Sequence, residues 1–155
     1  MAKLYRRYEV RDDQQKDLTA MVERTLEDNK SKYFDRKVAR TVMSQCEAAE
    51  LWYLVEDDTF WKRTLTSSTL NHRFKMRVKL LSPSAGDKLY PYFDTTGDMV
   101  AFSRVYQITD SDGKVAEHFD TWTADKFVSR EQLNGEWVVT PIPNAMGKIP
   151  IVYYT

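Results

Sequence analysis

The sequence predicts an α+β fold in which two N-terminal helices pack on an antiparallel β-meander. Three observations carry that expectation. Apolar residues recur at helical spacing through the first third of the chain, they alternate with period two from His72 onward, and Asp-Gly and Asn-Gly pairs punctuate the back half. At 155 residues the chain is the size one hydrophobic core commonly serves. Residues 1–155 therefore read as a single domain, helical over 11–50 and strand-rich over 51–155.

The first helix is expected from Asp12 to Asn29, with Leu18, Met21, Val22 and Leu26 as its inner stripe. Asp12, Asp13, Lys16, Glu23, Arg24 and Glu27 fall on the other side and read as a solvated surface. Acidic residues in the first turn suit the helix dipole. A second helix is expected from Asp35 to Glu50, with Phe34, Val38, Val42 and Ala49 inward and Met43 and Cys46 alongside. Leu51-Trp52-Tyr53-Leu54-Val55 then reads as a strand buried on both sides. Residues 56–71, rich in Ser and Thr, suggest a loop or an exposed hairpin turn.

From His72 the alternation is clear. Phe74, Met76, Val78 and Leu80 share one face, expected on the core, and Arg73, Lys75, Arg77 and Lys79 share the other, expected in water. Ser82-Pro83 ends that strand, because proline cannot donate to a ladder. Leu89 to Phe93 contains Pro91 and so reads as an edge strand. After the turn at Asp94-Thr95-Thr96-Gly97, Val100 to Gln107 alternates again. Asp110-Ser111-Asp112-Gly113 marks a hairpin, with the return strand at Lys114 to Thr123. Asn134-Gly135 joins Lys126–Arg130 to Glu136–Thr140, and Ile149 to Tyr154 is the last strand.

Composition excludes several functions. The 23 basic and 23 acidic residues cancel, so no basic surplus points to duplex DNA, where neutralised phosphates release counterions. Cys46 is the only cysteine, which forbids an intrachain disulfide, and it reads as a small buried hydrophobe. With His72 and His118 as the only histidines, a Cys/His zinc site lacks ligands. The N-terminus lacks the apolar core of a signal peptide, and no run reaches the ~18 apolar residues of a membrane span. A soluble protein made inside a cell is the expectation.

No catalytic, cofactor or metal site is predicted. In an EF-hand loop the glycine follows a fifth-position ligand, so Gly113 comes too early and Asp110 to Gly113 is a turn. Glu117 and His118 are sequence neighbours on a strand and point to opposite faces. There is no Gly-x-Ser-x-Gly elbow and no glycine-rich phosphate loop. The acidic run Glu56, Asp57 and Asp58 has no second cluster at a recognisable spacing. The tryptophans and tyrosines read as core residues rather than as a ligand pocket.

The order of these pieces from Ala39 to Thr155 resembles the wing region of tailed-phage portal proteins of the SPP1 type. The resemblance is carried by the helix-to-strand entry at Ala48–Val55, by Pro83, and by Tyr90-Pro91-Tyr92-Phe93-Asp94. It continues through Arg104 and Tyr106, Asp112 and Gly113, Trp122, and Gly135-Glu136-Trp137. It closes on Asn144, Gly147, Ile149, Pro150, Ile151 and Val152. It implies a structural, non-enzymatic role without a cofactor, in a commonly dodecameric ring that passes DNA into the capsid and joins head to tail. The partners it implies are other portal subunits and, through the full-length protein, capsid or scaffold protein, terminase and tail adaptors. It implies no membrane and no direct sequence-specific contact of this piece with nucleic acid. The location it implies is the virion, and the host cytoplasm during assembly. On this resemblance the chain reads as a fragment of a longer protein.

Two other readings stay open. A cone-like NTF2-type domain would bind or act on a small hydrophobic ligand inside a curved sheet, with convergent polar groups around His72 or His118. A nucleic-acid module would use Arg73, Lys75, Arg77 and Lys79 with nearby aromatics.

Overall fold

The computed structural model describes residues 13–61, 73–133 and 135–155. Two helices, α1 (Asp13–Asp28) and α2 (Ser31–Gln45), precede eight strands. These are β1 (Ala48–Glu56), β2 (Phe74–Leu81), β3 (Lys88–Phe93), β4 (Met99–Thr109), β5 (Val115–Trp122), β6 (Lys126–Leu133), β7 (Glu136–Pro143) and β8 (Ile151–Tyr154). The α+β class expected from the sequence is borne out. The strands form two antiparallel sheets: a five-stranded meander in the order β3-β4-β5-β6-β7, and a three-stranded sheet in the order β2-β1-β8. The second sheet arises because the last strand returns to the first, pairing Ala48 with Tyr154 and Leu51 with Ile151. The chain divides into two compact units, residues 1–34 with 54–77, and residues 35–53 with 78–155.

In the larger unit the core lies between sheet faces. Phe102 and Leu81 are fully buried, joined by Ala49, Leu89, Trp122 and Ile151. Phe102 sits 6.3 Å from the Trp122 ring and 6.2 Å from Tyr153, and Trp122 stacks on Phe127 at 5.0 Å. Leu81, rather than Leu80, is the buried residue at the end of β2, so the expected inner face does not hold along the whole strand. β1 is buried at Ala48, Ala49 and Glu50, while Tyr53 and Leu54 are exposed, so only its start has cover on both sides.

The ends of α2 explain another departure. Cys46 takes a left-handed backbone, φ 61°, and its N–H bonds the Val42 carbonyl at 2.9 Å. That is the terminating geometry of a helix, which ends before Glu47 and leaves Cys46 exposed, not buried as expected. Val38 is buried as expected, but Met43 is 87% exposed, one turn from Ala39 on the outer side.

The smaller unit is organised around Phe60 and Trp61, whose rings meet edge to face at 4.6 Å. Trp61 Nε1 donates to the Phe74 carbonyl at 2.8 Å, and Phe60 lies between the cations of Arg24 (5.1 Å) and Lys75 (5.2 Å). Among the described residues, the side-chain contacts of α1 are polar. Arg24 lies over Phe60, Asn29 Nδ2 donates to the Met76 carbonyl at 2.9 Å, and Asp28 pairs with Arg77. Of the expected apolar stripe, Leu18 (62%), Val22 (58%) and Leu26 are exposed, and Met21 is half-buried. Burial follows the ion pair and the cation–aromatic contacts here, which outweigh a narrow apolar stripe. Leu18→Lys with Val22→Gln is accordingly expected to move the thermal midpoint by only what ~0.5 kcal/mol produces. A loss of several kcal/mol by denaturant titration would contradict the exposed placement.

The cations of β2 are not an open basic stripe. Arg73 pairs with Glu56, Lys75 Nζ lies 2.8 Å from Asp57, and Arg77 pairs with Asp28, so the solvent-face expectation is corrected for Lys75 and Arg77, which are half-buried. The Lys75 ammonium, and then the Thr59 hydroxyl and N–H, hold the Asp57 carboxyl down at about 2.

Candidate functional site

The strongest concentration of chemistry sits on the inner face of the five-stranded sheet. Strand register assembles it, since directly opposed residues share a face. Leu89 on β3 opposes Arg104 on β4, Arg104 opposes Asp120 on β5, and Asp120 opposes Ser129 on β6. One step along, Tyr106 opposes His118, which opposes Glu131. Polar side chains thus continue the rows whose other end is Phe102, Trp122 and Phe127.

Arg104, Asp87 and Asp120 are all buried, at 8%, 3% and 5% exposure. Arg104 Nε and Nη2 both donate to Asp87 Oδ1, at 2.7 and 2.6 Å. The other Asp87 oxygen accepts the Ser82 N–H at 2.9 Å. The guanidinium lies 3.7 Å from the centroid of the Tyr106 ring, the planar stacking that arginine allows. Tyr106 donates its hydroxyl proton to Asp120 Oδ2 at 3.1 Å, and Ser129 Oγ donates to Asp120 Oδ1 at 2.7 Å. His118 stacks on Tyr106 at 5.0 Å with Nε2 3.8 Å from Glu131.

Each carboxylate has its own donors, so this is a closed chain of partners running Ser82–Asp87–Arg104–Tyr106–Asp120–Ser129. Burial, and then the Asp120 charge, push the Tyr106 hydroxyl up to about 12. A raised value in the folded state stabilises the fold fully below the unfolded value near 10 and is lost as pH climbs towards 12. Tyrosinate absorbance should show Tyr106 ionising late, together with loss of fold. Burial and the Glu50 hydrogen bond push the Tyr154 hydroxyl up to about 12 as well, so in a Tyr106→Phe variant the late alkaline component should shrink by one tyrosine, and an unchanged amplitude would contradict this assignment.

The remaining motif residues are turn and packing residues. Pro83 opens a single 3-10 turn, Pro83–Ala85, closed by Gly86. Pro91 lies on the edge strand β3 opposite Phe102, and Pro141 and Pro143 lie on the other edge, β7. All three therefore lie where missing donors cost the ladder least. Asp94 Oδ1 accepts from the Thr96 hydroxyl (2.7 Å), the Thr96 N–H (2.9 Å) and the Asp98 N–H (3.0 Å), which lowers its pKa, led by the Thr96 hydroxyl. The Asp112 N–H donates to Asp110 Oδ1 at 2.9 Å and Gly113 takes φ 79°, the left-handed position of the turn. Asn144 Nδ2 donates to the carbonyls of Thr123 and Lys148, at 2.9 and 2.8 Å, and Gly147 closes that turn at φ 62°. Ile149 packs against the core cluster, and the Pro150 carbonyl accepts the Trp52 N–H at 2.9 Å. Only Arg104 and Tyr106 of the motif residues enter the polar chain. Asp87, Asp120 and Ser129 were missed. His72 and Asn134 lie outside the described residues.

Among the described residues no group of three or more His, Cys, Asp or Glu side chains is placed to hold a metal. No helix there is long and apolar enough to cross a membrane. Residues 6–155 match the family described as phage portal protein, SPP1 Gp6-like. The chain belongs to that family. No curated protein matches it significantly. Portal proteins are structural rather than catalytic, and membership makes this portal chain a virion component. The buried polar chain fits such a role: every member is satisfied by another member, which fixes strand register and rigidity.

Proposed function

We propose that the chain is the wing region of a portal, part of the oligomeric ring through which DNA enters the capsid and which joins head to tail. The family match across residues 6–155 carries this reading. It is supported by the inner sheet face, filled by Phe102, Trp122, Leu89 and Leu81, where an NTF2-type cone would hold its ligand. The pairing of Arg73, Lys75 and Arg77 with carboxylates weighs against a nucleic-acid stripe on β2. Other portal subunits are the immediate partners, and capsid or scaffold protein, terminase and tail adaptors are partners of the full-length protein. Assembly in the host cytoplasm belongs to the same reading. Sequencing the flanks of the gene tests it. A large-terminase gene upstream and a capsid or scaffold gene downstream are expected, and metabolic genes on both sides would overturn it.

A further inference from the structure

Two surfaces of the larger unit are opposite in charge and each leaves apolar groups in water. The first is the outer face of α2. Arg36, Lys37, Arg40 and Met43 fall within about a third of the helix circumference at 3.6 residues per turn, opposite the buried Val38. The segment from Asp35 to Gln45 carries those three cations against the single Asp35, and among the described residues none of the three cations makes an ion pair.

The second surface is the tip of the β4–β5 hairpin. β3 pairs with β4 only as far as Val105, and β6 meets β5 only from His118. Residues 107–117 therefore stand beyond both neighbours as a two-stranded arm, held by the pairs Gln107–Glu117, Ile108–Ala116 and Thr109–Val115. Such a ribbon alone is marginal in water. It carries Asp110, Asp112 and Glu117 against the single Lys114, and it exposes Ile108 and Val115. Asp110 is occupied in the turn, where it accepts the N–H groups of Asp112 and Lys114. Asp112 and Glu117 are left to face outward partners.

We propose that the β4–β5 arm of one copy docks on the outer α2 face of a second copy of this chain. Asp112 and Glu117 meet Arg36, Lys37 and Arg40, and Val115, on the same face of the arm as Glu117, covers Met43. Complementary charge fixes register and partner, and the apolar contacts supply the burial. The inference rests on the ring reading for its context and adds to it the surfaces in contact.

The test uses two variants of the chain, Arg36→Glu with Arg40→Glu, and Asp112→Lys with Glu117→Lys, followed by sedimentation velocity over a concentration series at low salt. The parent is expected to self-associate, less so as salt rises. Each variant alone sets like charges together and is expected to self-associate roughly tenfold more weakly or worse. Mixed in equal amounts, the two restore opposite charges and are expected to associate again. Circular dichroism checks that the variants fold, and the milder pair Arg36→Gln with Arg40→Gln should weaken association in the same direction. A parent that stays monomeric, variants that associate as the parent does, or a mixture that stays apart would each overturn the proposal. Variants that associate like a self-associating parent would leave the portal reading standing and remove only this contact.

Discussion

Asp87→Ala is expected to destabilise the protein by about 3–5 kcal/mol, because it strips the buried Arg104 guanidinium of its carboxylate partner. The substitution also leaves the Ser82 N–H without its acceptor in a buried place. At this chain length the thermal midpoint should fall by roughly 10 °C. Arg104→Ala should be similarly severe, since it orphans Asp87 and removes the cation stacked on Tyr106. The pairing itself is a different quantity. Asp87→Asn combined with Arg104→Met keeps an acceptor for Ser82 and replaces the cation by an apolar side chain of similar length. That double variant is expected to be more stable than Arg104→Met alone, with a coupling of roughly 1–3 kcal/mol in a double-mutant cycle. Additive effects, read by urea titration, would mean that the two side chains act independently and that the polar chain is not one unit.

Phe102→Ala is the second large effect, at about 3–5 kcal/mol. Phe102 is fully buried between Trp122 and Tyr153, in contact distance of side chains from both sheets of the larger unit. Its neighbours come from β-strands whose backbone hydrogen bonds resist collapse, so the cavity should persist, and packed interiors feel such voids. Phe102→Leu fills part of the hole and should cost less. A loss below about 1 kcal/mol for Phe102→Ala would show that this core relaxes freely, contrary to the packing described.

The back half of the fold was legible because its signals are local. The turns at Asp94 and at Asp110 to Gly113 each place a short-range acceptor beside the backbone donors that need it, and Pro91 marks an edge from its chemistry alone. What escaped was set by register and long-range pairing. Asp120 lies on the same face as Trp122, which reads as core, but its partner Ser129 and its neighbour Tyr106 become visible only once β4, β5 and β6 are aligned. Asp87 follows a 3-10 turn and reaches Arg104 seventeen residues away, a contact that no spacing rule encodes. The signal that was available is the alternation Phe102, Arg104, Tyr106, which places an arginine in an otherwise apolar row and so demands a buried acid somewhere.

The misreading of α1 has a different cause. Leu18, Val22 and Leu26 satisfy helical periodicity, yet the helix turns Arg24 and Asp28 towards Phe60 and Arg77 and leaves Leu18 and Val22 in water. Periodicity finds the apolar stripe but not what faces it. A narrow stripe flanked by residues able to pair with buried partners can be displaced by them. Similarly, the four alternating cations from Arg73 to Lys79 read as a solvent face until Glu56, Asp57 and Asp28 were placed beside three of them.

As part of a portal, the chain is expected at the junction of head and tail. Antibodies raised against the chain, applied to purified particles of the source phage and located by immunogold electron microscopy, test it most directly. Label is expected at the single vertex where head meets tail. Label spread over the capsid, confined to the tail tip, or absent from particles whose protein is accessible to a capsid antibody would contradict it.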